Sequence, residues 1–281
     1  MLQEIHSAAL AGDEALRFHR CITTQYEYGC TYGSRWVGFD IKKMIHKHIL
    51  VECEINRAYL AQSLYSLDQR PFVVTNKPII DPETIPPLND EAESVFKKVG
   101  NRPVFMYQGN LSSIEGERGD VPMILETIAK SRPNYCVLSL PANEYIRNLL
   151  KPYSNAFALE HIPAPGHLAV TAKATVGIAV YRGGRPGTWG VNATYCAPNK
   201  TYEYAAFGLP TLGNDIPGLR YSIGMAKAGI CCEMTPECVL AAADELIYRL
   251  PFYQENARKF YANTDVEKEV RAVLSAGGVL I

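Results

Sequence analysis

Lys200 and Glu203 stand one turn apart in the stretch CAPNKTYEYAAFGLPTLGND, residues 196–215. Pro198 and Asn199 are helix-start residues, and Gly208 and Pro210 mark a stop, so both side chains fall in the first turn of a short helix. First-turn amides have no partner within their helix, and together with the macrodipole they favour anions. A lysine there adds positive charge, and a carboxylate one turn on accepts hydrogen bonds from hydroxyls. The same residues also suit an ordinary capped helix with a solvated acid. The turn by itself leaves ligand site and plain helix both open.

The segment YRGGRPGTWGVNATY, residues 181–195, leads into that helix and holds two arginines, four glycines and a tryptophan. Tyr181, Arg182, Arg185 and Trp189 are candidates for contacts with a substrate, because loops at strand ends collect such contacts. Trp189 suits stacking on a ring or packing as a lid. The eight cysteines include no C-x-x-C pair and no zinc-ligand spacing, so they read as reduced, mostly buried thiols. Cys231 and Cys232 are adjacent and form the one candidate redox pair. His46 and His48 would point about 200° apart on a helix and could not share a ligand there. No metal site is expected.

Composition narrows the class. The chain has 281 residues, 47% hydrophobic and 20% charged, with a net charge of −1. That is a globular balance without the electrostatic footprint of a nucleic-acid binder. No apolar run approaches the ~20 residues of a membrane span. The N-terminus lacks a basic start followed by an apolar core, so a cytoplasmic protein with at most peripheral membrane contact is expected.

The elements that must position these residues follow from residue 103 onward. PVFMYQG, YCVLSLP, AFALEH, TVGIAVY, LPTLGND and GICCE read as buried strands. Helical patterns lie between them, among them 115–133, 142–150, 166–174 and 199–208. Thr235 and Pro236 open a last long one as N-cap and first helical residue. Such alternation predicts an α/β fold with a Rossmann-like, doubly wound parallel sheet, whose ligands sit beyond the carboxyl ends of the strands. Residues 49–53 and 72–75 read as strands around a helix from Glu54. The residues before them read as helix and loop, and the proline-rich, acidic stretch 76–94 as a linker.

In this order the pieces resemble GT-B glycosyltransferases, most closely the family 4-like group, over roughly residues 45 to 275. EINRAYL followed by VVTNKP looks like the end of the first lobe and the interlobe connection. MYQGNLSSIEGERG is similar to the opening strand and loop of the donor lobe. IPAPGHLAVTAKATVGIAVY and APNKTYEYAAFGLPTLGND are similar to the elements that close over a nucleotide sugar. The resemblance implies a partial acceptor-side lobe with linker over 1–90 and a nucleotide-sugar-binding lobe over 91–281. It implies that Glu203 accepts from the ribose diol and that Arg118, Lys200 and the turn at Asn199 hold the diphosphate beside Gly109. His161 and Ile162 would wall the base. The acceptor would be a saccharide or lipid-linked glycan, and no cofactor is implied, since no D-x-D-like pair stands at a strand end.

Three departures accompany the match. Retaining members often carry a second glutamate eight positions earlier; here that position is Tyr195, which has no carboxylate but whose hydroxyl can still hydrogen-bond the donor sugar. The arginine usual after the first strand's glycine is Asn110. The first lobe is short, which suggests a fragment, a natural short form or a reduced acceptor lobe. A non-enzymatic sugar-nucleotide-binding or regulatory module is therefore the first alternative to a transferase, and a GT-B-like epimerase acting on a sugar nucleotide, which would need further catalytic carboxylates, is the second.

Overall fold

The computed structural model describes residues 2–4, 22–25, 49–109, 111, 120–181 and 190–278, with only the backbone for 2–4, 22–25 and 191–192. Arg118, Arg182, Arg185, Trp189 and Asn110 lie outside the described residues. The chain divides into two compact units, one formed by 1–76, 185–197 and 264–281, the other by 77–184 and 198–263.

In the first unit, β1 (Leu2–Glu4), β2 (Ile22–Gln25), β3 (Ile49–Glu52) and β4 (Phe72–Val73) pair in parallel, in that order. Two strands thus lie in the region expected to be helix and loop. Their sequences, LQE and ITTQ, each hold a single apolar residue and so show no apolar run. Helix α1 (Ile55–Tyr65) starts at Glu54, whose carboxylate accepts from the Arg57 amide.

The second unit is built on a six-stranded parallel sheet. Its strands are β5 (Val104–Gln108), β6 (Cys136–Leu140), β7 (Ala156–Ala158), β8 (Val176–Ala179), β9 (Thr211–Asn214) and β10 (Gly229–Cys232). The spatial order is β10-β9-β8-β5-β6-β7. Each predicted strand is present, trimmed at its ends. The helices are α2 (Asp90–Val99), α3 (Asp120–Ser131), α4 (Glu144–Leu150), α5 (His167–Thr171), α7 (Asn199–Ala206), α8 (Pro236–Tyr248) and α9 (Leu250–Asn263). Two more, α6 (Gly190–Thr194) and α10 (Val266–Ala276), belong to the first unit.

Strand alternation places the core on both faces of this sheet. Phe105 and Tyr107 join Val121, Ile124, Leu125 and Ile128 of α3 in one apolar cluster. Val104 and Met106 join Ala92 and Val99 of α2 in the other. Burial of each large apolar side chain contributes roughly 1.5–3 kcal/mol, so β5, fully buried along its length, anchors the fold.

The expected linker is ordered structure in its second half. Asn89 caps α2 by accepting from the Ala92 amide, Asp90, Glu91 and Glu93 favour its positive end, and Lys97 and Lys98 its negative end. Upstream, Tyr261 of α9 donates to the Pro78 carbonyl at 2.9 Å and accepts from the Ile80 amide at 3.2 Å. Lys77 lies over the same ring at 4.1 Å. The proline-rich segment is strapped to a helix, which its composition did not foretell.

Candidate functional site

The chain runs outward from β5 through β6 to β7 and then crosses back to β8, so the sheet has its topological switch between β5 and β8. Open parallel sheets bind ligands at that place, outside the carboxyl ends of the strands. Gly109 follows β5 directly, Tyr181 lies just beyond β8, and His161 and Ile162 follow β7. All four therefore lie at the carboxyl edge of one sheet.

Helix α7 faces this edge. Pro198 gives it no side-chain cap, the Thr201 hydroxyl donates to the Pro198 carbonyl, and Gly208 at φ +73° ends it. Asn199 is exposed at its start. Lys200 is buried, with Nζ 4.5 Å from the Tyr107 ring centre and 5.6 Å from that of Tyr181. Two aromatic faces at that range fix a cation electrostatically. Gly109, at φ +141°, lies against the same amino group: a Cβ there would be 2.7 Å from Lys200 Nζ. The structure thus brings Gly109, Tyr181 and Lys200 together, with the ammonium held beside bare backbone.

Glu203 is mostly buried, its side chain 17% exposed. The Gln108 side-chain amide donates to its Oε2, and His167 Nε2 lies 3.8 Å from the same oxygen. The Thr171 hydroxyl donates to Gln108 Oε1 at 2.6 Å. Next in sequence, Tyr204 is fully buried; its hydroxyl accepts from the Gln108 backbone amide at 3.0 Å and lies 3.3 Å from the Ile178 carbonyl. Burial pushes the Tyr204 phenol well above its ordinary range, so it stays neutral. Consecutive residues of α7 therefore grip the last residue of β5.

Gln108, Thr171, His167 and Tyr107 are site residues that the sequence reading did not find. The available signal was a glutamine closing an otherwise apolar strand, immediately before a glycine. Asn214 is another. Its side-chain amide accepts from the Tyr181 amide at 3.0 Å and donates to the Tyr181 carbonyl at 2.7 Å, in a buried setting. It fixes the chain where it leaves β8. Asn214→Ala leaves two buried backbone groups without this partner and should lower unfolding free energy by about 1–3 kcal/mol, measured by denaturant titration.

His161 is exposed, and Ile162 packs partly on the apolar cluster around α2. Tyr195 is half-buried and belongs to the first unit. The adjacent cysteines are free, and burial pushes the thiols of Cys231 and Cys232 up to about 12 and about 11, the opposite of a reactive pair. Among the described residues no three His, Cys, Asp or Glu side chains cluster to hold a metal ion. Among them, too, no helix is long and apolar enough to cross a membrane.

Solved structures share this architecture. The chain aligns with trehalose-6-phosphate synthase OtsA at TM-score 0.69 and 11% identity, over 99% of this chain and 71% of that one. It aligns with the S. aureus MnaA–UDP co-structure at 0.62 and 10%, over 98% and 80%. For WaaG, a glycosyltransferase involved in lipopolysaccharide biosynthesis, the values are 0.58 and 14%, over 93% and 79%. No family model matches the chain, and no curated protein matches it in sequence. At these identities the likeness establishes the fold, which is GT-B.

Proposed function

We propose that the protein is a glycosyltransferase that binds a nucleoside-diphosphate sugar at the β5–β8 switch point and transfers the sugar to a hydroxyl of a saccharide or lipid-linked glycan. The observation that carries this reading is the pairing of a caged cation, Lys200, with a fixed carboxylate, Glu203, on the first turn of α7. A diphosphate needs positive charge and backbone N–H donors; a ribose needs an acceptor for its hydroxyls. Both needs meet on one helix turn. The fold neighbour solved with UDP supports the same ligand class.

In this reading Lys200, the amides at Asn199 and Thr201 and Arg118 stabilise the departing diphosphate. Catalysis is electrostatic, through groups fixed before the substrate arrives. No metal or cofactor has an assigned role. Retention at the anomeric carbon and the wall for the base at His161 and Ile162 belong to the family resemblance, and substrate contacts by Tyr181, Arg182, Arg185 and Trp189 to the place of their segment after a strand. A cytoplasmic site of action with at most peripheral membrane contact is part of the same proposal.

Tyr195 favours a second reading, a sugar-nucleotide-binding module without turnover, because it cannot supply the carboxylate expected eight positions before Glu203. Incubation with UDP- and GDP-sugars, followed by detection of released nucleotide with and without glycan acceptors, separates the two. Release of UDP or GDP identifies a transferase. Binding with no release in any combination identifies the module.

A further inference from the structure

The contacts of Gln108 carry an assignment beyond that reading, although they rest on it for the ligand. A carboxylate only accepts hydrogen bonds, so the Gln108 group facing Glu203 Oε2 is its NH2, and its carbonyl faces the Thr171 hydroxyl. The amide therefore has one orientation. Its donor is aimed at Glu203, and its carbonyl accepts from the buried Thr171 hydroxyl, which also lies 3.1 Å from the His167 carbonyl. Thr171 and His167 lie four apart on α5 and so share a face, and both meet this cluster. Gln108 is buried, and its backbone amide is also taken, by Tyr204. Two elements, β5 and α5, thus converge on one carboxylate oxygen presented by α7.

These contacts all fall on Oε2. A glutamate free in solution samples many rotamers, and freezing it on a ligand weakens binding. Here that freedom is already lost on folding, and the carboxylate plane is set before a ligand arrives. We propose that Gln108, locked by Thr171, is a positioning residue that fixes Glu203 so that Oε1 faces the ribose hydroxyls of the bound nucleotide. Gln108 itself does not touch the reacting atoms. Its effect travels only through Glu203 and only to ligands that carry those hydroxyls.

The test is a set of calorimetric titrations of the full chain with UDP, GDP and their 2′,3′-dideoxy counterparts. Gln108→Met, close in shape but without the amide, should weaken the ribonucleotide that binds the wild type by roughly tenfold. The weaker dideoxy analogue should change less than about twofold. In Gln108→Met/Glu203→Ala the ribonucleotide should bind no more weakly than in Glu203→Ala alone. Thr171→Val, which keeps the shape and removes the lock, should show the same selectivity with a smaller loss, and it serves if Gln108→Met fails to fold. Equal losses for ribo and dideoxy ligands, or wild-type affinity in both variants, would overturn the positioning role while leaving nucleotide binding intact. No binding of UDP or GDP to the wild type would overturn the nucleotide reading and this role with it.

Discussion

Gly177→Ala should strongly destabilise the second unit, lowering unfolding free energy by roughly 3 kcal/mol or more, the upper range for overpacking. Gly177 lies in β8 between Met106 of β5 and Thr211 of β9, and its amide donates to the Pro210 carbonyl at 2.9 Å. A Cβ there would overlap ring carbons of Tyr204. The ring cannot step aside, because its hydroxyl is held by the Gln108 amide and it is fully buried. The sheet cannot yield either, because β8 is paired on both sides. Denaturant unfolding checks the size of the loss, and a second variant checks its cause. In a Tyr204→Ala background the extra methyl should cost little, because the space it needs has been vacated. A single-variant loss below about 1 kcal/mol would mean that α7 is not seated on the sheet in this way.

Glu203→Ala should lower nucleotide affinity at least tenfold, the scale expected when a charged hydrogen-bond partner is removed. The protein-side contacts to Oε2 are lost in the free and the bound protein alike, so the change in binding affinity reports what Glu203 offers the ligand. Glu203→Gln separates charge from shape: it keeps an acceptor, and should fall between wild type and alanine. A change in affinity under about 1 kcal/mol for the alanine variant would remove Glu203 from the binding site. Thermal unfolding of both variants distinguishes a lost contact from a lost fold.

The parts of the fold that were legible in the sequence are those set by local pattern. VFMYQ is apolar enough to be buried on both faces, and Thr235–Pro236 starts α8 because the side chain accepts from the Cys238 amide and proline has no amide to satisfy. The same logic found α7, with Gly208 as its stop. Strands β1 and β2 escaped because LQE and ITTQ each hold a single apolar residue and form no apolar run. The ordered stretch at 77–80 escaped because Tyr261, which holds it, is about 180 residues away. The site divides in the same manner. Lys200 and Glu203 announced themselves by their place in a helix turn, and Gly109 by its place after a strand. Gln108 and His167 reach Glu203 from two other elements, with Thr171 behind Gln108, so only strand order brings them together. Asn214 acts on a backbone 33 positions away and has no motif at all.

The most direct measurement for the central claim is isothermal titration of the intact chain with UDP, GDP and their sugars at neutral pH. A nucleotide site at the β5–β8 switch point predicts saturable, one-to-one binding of at least one nucleoside diphosphate, weakened in Glu203→Ala and in Lys200→Ala. Absence of binding by every one of these ligands, in a preparation that unfolds cooperatively, would contradict it.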